Sequence, residues 1–176
     1  MYKYQRAAIL FELIESLRAH GSWCGETHLQ KAAYFLEELY GIPLQFGFIL
    51  YKHGPFSFEL RDELTELRAD GLLVLQPQPP YGPRLDTTQF GKSIKERFPK
   101  TLDRYRLYID RIAEKFGGKG VSELECLATA LYVTKTLMLT GSVDSRATEL
   151  RGIKPHIVLS EAQTALREID TMLEAV

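Results

Sequence analysis

Apolar residues recur along this chain at helical spacing, in blocks separated by glycine and proline breaks. Over residues 5–19, Ile9, Leu13 and Leu17 stand at i, i+4 and i+8, and Leu10 and Ile14 widen the stripe. That spacing predicts a first amphipathic helix, stopped by Gly21. Thr27 with Gln30 three residues on reads as a capping box opening a second helix. Leu29, Ala32, Ala33, Leu36 and Leu39 form its apolar face, Gly41 stands at its C-terminal cap, and Pro43 bars continuation. The run Leu44 to Tyr51 is aromatic and aliphatic without a helical stripe, so it reads as a short extended segment. His53-Gly54-Pro55-Phe56 then reads as a turn. Ser57 is the N-cap of a third helix, with Glu59 in its first turn and Leu60, Leu64 and Leu67 inward. Leu72 to Gln76 and Arg84 to Thr88 read as two strands around a rigid turn containing Pro77, Pro79, Pro80, Gly82 and Pro83.

The order helix, helix, short strand, helix, hairpin is that of a winged helix-turn-helix. The expected class is therefore mainly α with a small β component. A winged-helix-like part covers residues 1–98, and a helical extension over 99–176 packs on it as one domain. The extension holds a helix over 100–116, one opened by Ser122 with Glu125, a short one over 144–150, and a last one capped by Ser160 with Gln163. A helix over 89–98 leads into it. Gly117, Gly118 and Gly120 make the one hinge-like break.

Composition narrows the class without naming a function. Hydrophobic residues at 45% and charged residues at 26% are the balance of an ordinary globular protein able to bury a core. A net charge of −1 gives no global pull toward nucleic acid or anionic membrane. Glu12 and Glu15 interrupt the N-terminal apolar stretch, which argues against a signal peptide, and no apolar run is long enough for a membrane span. Cys24 and Cys126 form no Cys-x-x-Cys pair and read as free thiols in a cytoplasmic protein.

No catalytic constellation is legible. His20, His28, His53 and His156 lack metal-ligand spacing, and no phosphate-binding or nucleophile motif occurs. The expectation is a non-enzymatic protein without cofactor or metal. Winged-helix order suggests nucleic acid as an alternative partner, read by the third helix. That helix, however, carries Glu59, Asp62, Glu63, Glu66 and Asp70 against Arg61 and Arg68, a balance of −3. Phosphate would be repelled there, whereas a basic protein would be received. Glu59, Asp62, Glu63 and Glu66 are the candidate acidic partner face. Lys92, Lys95, Arg97, Lys100, Arg104, Arg106 and Arg111 form the alternative basic patch, interleaved with Asp103, Asp110 and Glu114.

Two short segments resemble a known family. Leu29-Gln30-Lys31-Ala32-Ala33-Tyr34-Phe35 is similar to the Leu-Gln-Lys-x-x-Tyr-Phe segment of the SocA-like "Panacea" antitoxin domain, a group often labelled phage-associated. His53-Gly54-Pro55-Phe56-Ser57, with Leu60 beyond, resembles that family's Tyr-Gly-Pro-aromatic-Ser segment, with histidine in place of tyrosine. Lys154-Pro155 is a weaker third match. The resemblance implies a cytoplasmic antitoxin that binds a toxin or phage-encoded protein directly, in one case escorting it to a protease. Leu29, Gln30, Lys31, Tyr34, Phe35, His53, Gly54, Pro55, Phe56, Ser57 and Leu60 are then candidate partner-binding residues.

Overall fold

A computed structural model describes residues 1–176, apart from the side chain of Gln78. Eight α-helices and two small antiparallel hairpins make a mainly helical protein. The order is α1 (Lys3–Ala19), α2 (Glu26–Glu38), β1 (Ile49–Tyr51), β2 (Gly54–Phe56), α3 (Phe58–Ala69), β3 (Leu73–Gln78), β4 (Tyr81–Thr87), α4 (Gln89–Glu96), α5 (Pro99–Phe116), α6 (Val121–Leu131), α7 (Val143–Ile153) and α8 (Leu159–Glu174). One π-helical turn, Tyr132–Thr136, continues α6.

Helix α1 is the centre of the molecule. Its stripe is wider than the spacing alone predicts: Ala7, Ala8, Ile9, Leu10, Phe11, Leu13, Ile14 and Leu17 are all buried. A helix apolar on most sides needs cover on most sides. Helices α2, α4 and α5 and strand β4 supply it. The core is continuous from Ala7 to Met172, so α6 and α8 share it with the N-terminal elements.

The glycine run after α5 is a packed corner instead of a hinge. A Cβ on Gly117 would lie 2.5 Å from both Cβ and O of His20, which lets α5 end directly against the end of α1. His28 closes the same corner, with Nε2 2.9 Å from the Phe116 carbonyl and Nδ1 3.1 Å from Ser22 Oγ. Burial lowers the pKa of this histidine. The buried Cys24 and Cys126 are free thiols, pushed up to about 12 and about 11 by desolvation, so both are inert thiols at neutral pH.

Three predicted capping boxes dissolve. Helix α2 starts at Glu26 with Gly25 as its cap, so Thr27 and Gln30 lie inside the helix. Helix α6 is capped by Gly120, whose N–H donates to Glu123 Oε2 at 2.9 Å, so the cap lies two residues before Ser122. Helix α8 is capped at Val158, and Gln163 instead donates to Asp144 Oδ1 at 2.7 Å. In each case a tertiary partner claims the polar side chain. Ser57 does cap α3, accepting the Leu60 N–H at 3.1 Å.

His53-Gly54-Pro55-Phe56 is also more than a turn. Lys52 and His53 form a two-residue loop, and Gly54–Phe56 returns as β2, with Tyr51 opposite Gly54, Leu50 opposite Pro55 and Ile49 opposite Phe56. The predicted β3–β4 hairpin is present, with Leu73 opposite Thr87 and Leu75 opposite Leu85.

Candidate functional site

Both family-like segments meet at the β1–β2 hairpin. Gln30 on α2 is fully buried and pairs reciprocally with the Ser57 backbone: its Nε2 donates to the Ser57 carbonyl and its Oε1 accepts the Ser57 N–H, both at 2.9 Å. Next to it Lys31, 1% exposed, donates Nζ to the Pro55 carbonyl at 2.7 Å. An amide and an ammonium from one helix therefore complete the outer edge of β2. Buried peptide groups must be paired, and no further strand is present to pair them. Gly54, at φ +82°, lies on α6, where a Cβ would meet Thr129 Oγ1 at 3.1 Å and the Glu125 carbonyl at 3.4 Å.

Beneath the turn lies a charged cluster. Lys154, from the link after α7, donates Nζ to the Tyr51 carbonyl at 2.7 Å and the Lys52 carbonyl at 2.6 Å. Glu125 on α6 places Oε1 3.2 Å from Lys154 Nζ and 3.3 Å from His156 Nε2, and Oε2 3.5 Å from His53 Nδ1. Glu125 and Lys154 are each 6% exposed, whereas the two histidine side chains are well exposed. The Lys154–Glu125 approach is an ion pair without a directed hydrogen bond, since Glu125 Oε1 has no hydrogen-bond partner. Burial lowers the Lys31 pKa from 10.5 to about 8; Glu125 opposes the shift and Lys154 adds to it. Lys154 belongs to the weaker Lys154-Pro155 match, but neither it nor Glu125 nor His156 is among the candidate partner-binding residues of the sequence reading. The clue was available: Glu125 interrupts the apolar run Leu124 to Leu131, where a solvated carboxylate has no place.

The motif residues divide sharply by exposure. Leu29, Gln30, Lys31, Tyr34, Phe35 and Leu60 are interior. Tyr34 packs edge-on to Phe48 at 5.1 Å between ring centroids, and Phe35 to Phe116 at 4.5 Å. Gly54, Pro55 and Ser57 are buried too, which leaves His53 and part of Phe56 in reach of a partner. The inward residues build the hairpin's seat; they are not a docking face.

The outer side of the hairpin has a different character. Tyr51 is 52% exposed and Phe58 38%, and the rings of Tyr51, Phe56 and Phe58 lie 5.2–5.6 Å apart. Ile49, half exposed, extends this surface, and Arg61 stacks on Phe58 at 4.8 Å. Large apolar rings in water at one spot are the unusual observation. Along α3 beside them, Glu59, Asp62, Glu66 and Asp70 are exposed. Glu63 does not belong to this face. It turns inward, 6% exposed, and ion-pairs with Arg6 of α1. The exposed acids are held loosely, Glu66 by Lys3 at 2.9 Å and Asp62 by Arg61 at 3.1 Å, pairs worth about 0–1 kcal/mol at a surface.

The basic patch is thinner than its sequence count. Lys95 is tied to Glu12 and Glu15 on α1, leaving Lys92, Arg97, Lys100, Arg104, Arg106 and Arg111 exposed, with Arg106 also 3.7 Å from Glu12. Among the described residues no cluster of three or more His, Cys, Asp or Glu could hold a metal ion, and no helix is long and apolar enough to cross a membrane. Neither a protein-family model nor a curated protein matches the chain.

Proposed function

We propose that the chain is a protein-binding module of antitoxin-like type, which neutralises or escorts a toxin or phage-encoded partner. The exposed cluster of Tyr51, Phe56 and Phe58 beside the acidic side of α3 carries this reading. Aromatic anchors with a charged rim are the usual anatomy of a protein interface. The resemblance to the Panacea domain supports the same role, because its two segments build the hairpin that presents these rings. Delivery of the bound partner to a protease is a further part of the proposal drawn from that resemblance.

The winged-helix reading of α1–α3 and the β3–β4 hairpin belongs with this proposal as architecture. It does not favour DNA as the ligand. The helix that would enter a groove presents four exposed carboxylates against Arg61 and a partly exposed Arg68, and such a surface repels phosphate.

Co-expression with the products of adjoining genes tests the proposal. A small toxic neighbour should form a stable complex and lose its growth defect, and Tyr51→Ala with Phe58→Ala should abolish both effects while leaving the fold intact. Absence of any complex or rescue would sink the reading.

A further inference from the structure

Side chains bond several backbone groups between Gln45 and Ser57. Gln45 and Phe46 donate their N–H groups to Glu37 at 2.8 and 3.1 Å, and Gly47 donates to Glu59 at 2.5 Å. Lys154 takes the carbonyls of Tyr51 and Lys52, Lys31 that of Pro55, and Gln30 both groups of Ser57. The two-residue turn makes Tyr51 and Gly54 the hydrogen-bonded closing pair. Antiparallel alternation then makes Leu50 and Pro55 a non-hydrogen-bonded pair, with backbone groups pointing outward. On β2 the outward groups are closed, since proline has no N–H and its carbonyl meets Lys31. On β1 they are not. Among the described residues nothing bonds the N–H or C=O of Leu50, or of Phe48 two positions earlier, and β2 is the only strand neighbour of β1. Such an edge is a template for one more strand.

We infer that the β1 edge at Phe48–Leu50 binds an extended, basic segment of the partner protein, with apolar side chains at alternate positions, by strand addition. This rests on the protein-binding reading and names its mode. Main-chain bonds to Leu50 supply pairing, and side chains on alternate positions choose the occupant. Ile49 and Tyr51 flank Leu50 on one face and merge with Phe56 and Phe58, so that face takes apolar groups. The charge comes from carboxylates bonded to the backbone just before the open edge, Glu37 at Gln45 and Phe46 and Glu59 at Gly47. Excess carboxylate there attracts lysine and arginine and repels an acidic segment.

The probe is a fluorescently labelled eight-residue peptide alternating arginine and valine, titrated onto the full chain by anisotropy. Saturable binding is expected. It should weaken about tenfold or more when alternate peptide amides are N-methylated, and about tenfold or more when glutamate replaces arginine. Amide exchange at Leu50 should slow about tenfold in the complex. Leu50→Pro should lose binding yet keep the hairpin, because an outward edge N–H tolerates proline. Equal binding of the N-methylated peptide, or none of the parent peptide, overturns strand addition. So does a dimer of the free chain that Leu50→Pro dissolves, since a second copy would then occupy the edge. A co-expressed partner that needs Tyr51 and Phe58, with the peptide arms negative, keeps the protein-binding reading and removes strand addition. Failure of both removes both.

Discussion

Gln30 and Lys31 are adjacent on α2, and both serve the backbone of another element. Helical geometry explains why their sequence setting misleads. Gln30 stands three residues after Thr27, the spacing of a capping box, but its amide is worth more against two buried peptide groups than against one exposed N–H. Leaving a buried donor or acceptor unpaired costs about 1–3 kcal/mol, whereas a cap contributes about 1. Lys31 carries a measurable signature. Its folded pKa, about 8, lies below the 10.5 of the free side chain. The unfolded chain therefore binds more protons between those values, and stability rises with pH across that window, by up to about 3 kcal/mol from this group. Urea midpoints at pH 7.5 and pH 10 measure it. The difference between the native chain and Lys31→Met should change in that sense; parallel behaviour of the two proteins would remove the assignment.

At the scale of elements, the β1–β2 hairpin has too few residues to be stable alone. It is held on three sides: α2 through Gln30 and Lys31, α6 through Gly54, and the α7–α8 link through Lys154. Gly54 needs both its freedom at positive φ and its missing side chain. Gly54→Ala should destabilise the protein by about 1–3 kcal/mol, read from denaturant unfolding. Gly118→Ala is the control: a Cβ there meets nothing within 4 Å, so its effect should stay near zero. Similar losses at both positions would contradict this account of the hairpin's seat. On α3, the sequence reading takes Glu59, Asp62, Glu63 and Glu66 as one face. The structure separates them, because Glu63 lies on the side that packs toward α1 and takes Arg6.

For the whole molecule, the division at residue 98 is weaker than the order of elements suggests. Helix α5 covers α1 along its length, with Ile109, Ile112, Ala113 and Phe116 buried in the same core as Ile9, Leu13 and Leu17. A chain of residues 1–98 would leave that face of α1 in water. It should show no cooperative thermal transition by circular dichroism and poor dispersion of amide signals, while the full chain melts as one unit. A well-folded, cooperative fragment would restore the two-part description. Lys154 points the same way, since through it the C-terminal half reaches the β1–β2 hairpin.

Periodicity by itself determined where α1, α2, α3 and α5 lie, because a buried helix stripe must repeat near 3.6 residues whatever it packs against. Local chemistry determined the Ser57 cap and the β3–β4 hairpin, since both need only near neighbours. The acidic balance of α3 was also legible, because charge is composition. Tertiary structure alone decided which polar residues are interior. Gln30, Lys31, Glu63, Glu125 and Lys154 are hydrophilic by type, and only partners 24 or more residues away make their burial tolerable, as in Lys31 to Pro55 or Lys154 to Tyr51. It also decided that Gly54-Pro55-Phe56 is a strand, whose missing third neighbour is replaced by side chains on β2 and left open on β1. Pairing of that kind depends on distance in space, and no local pattern of residues encodes it.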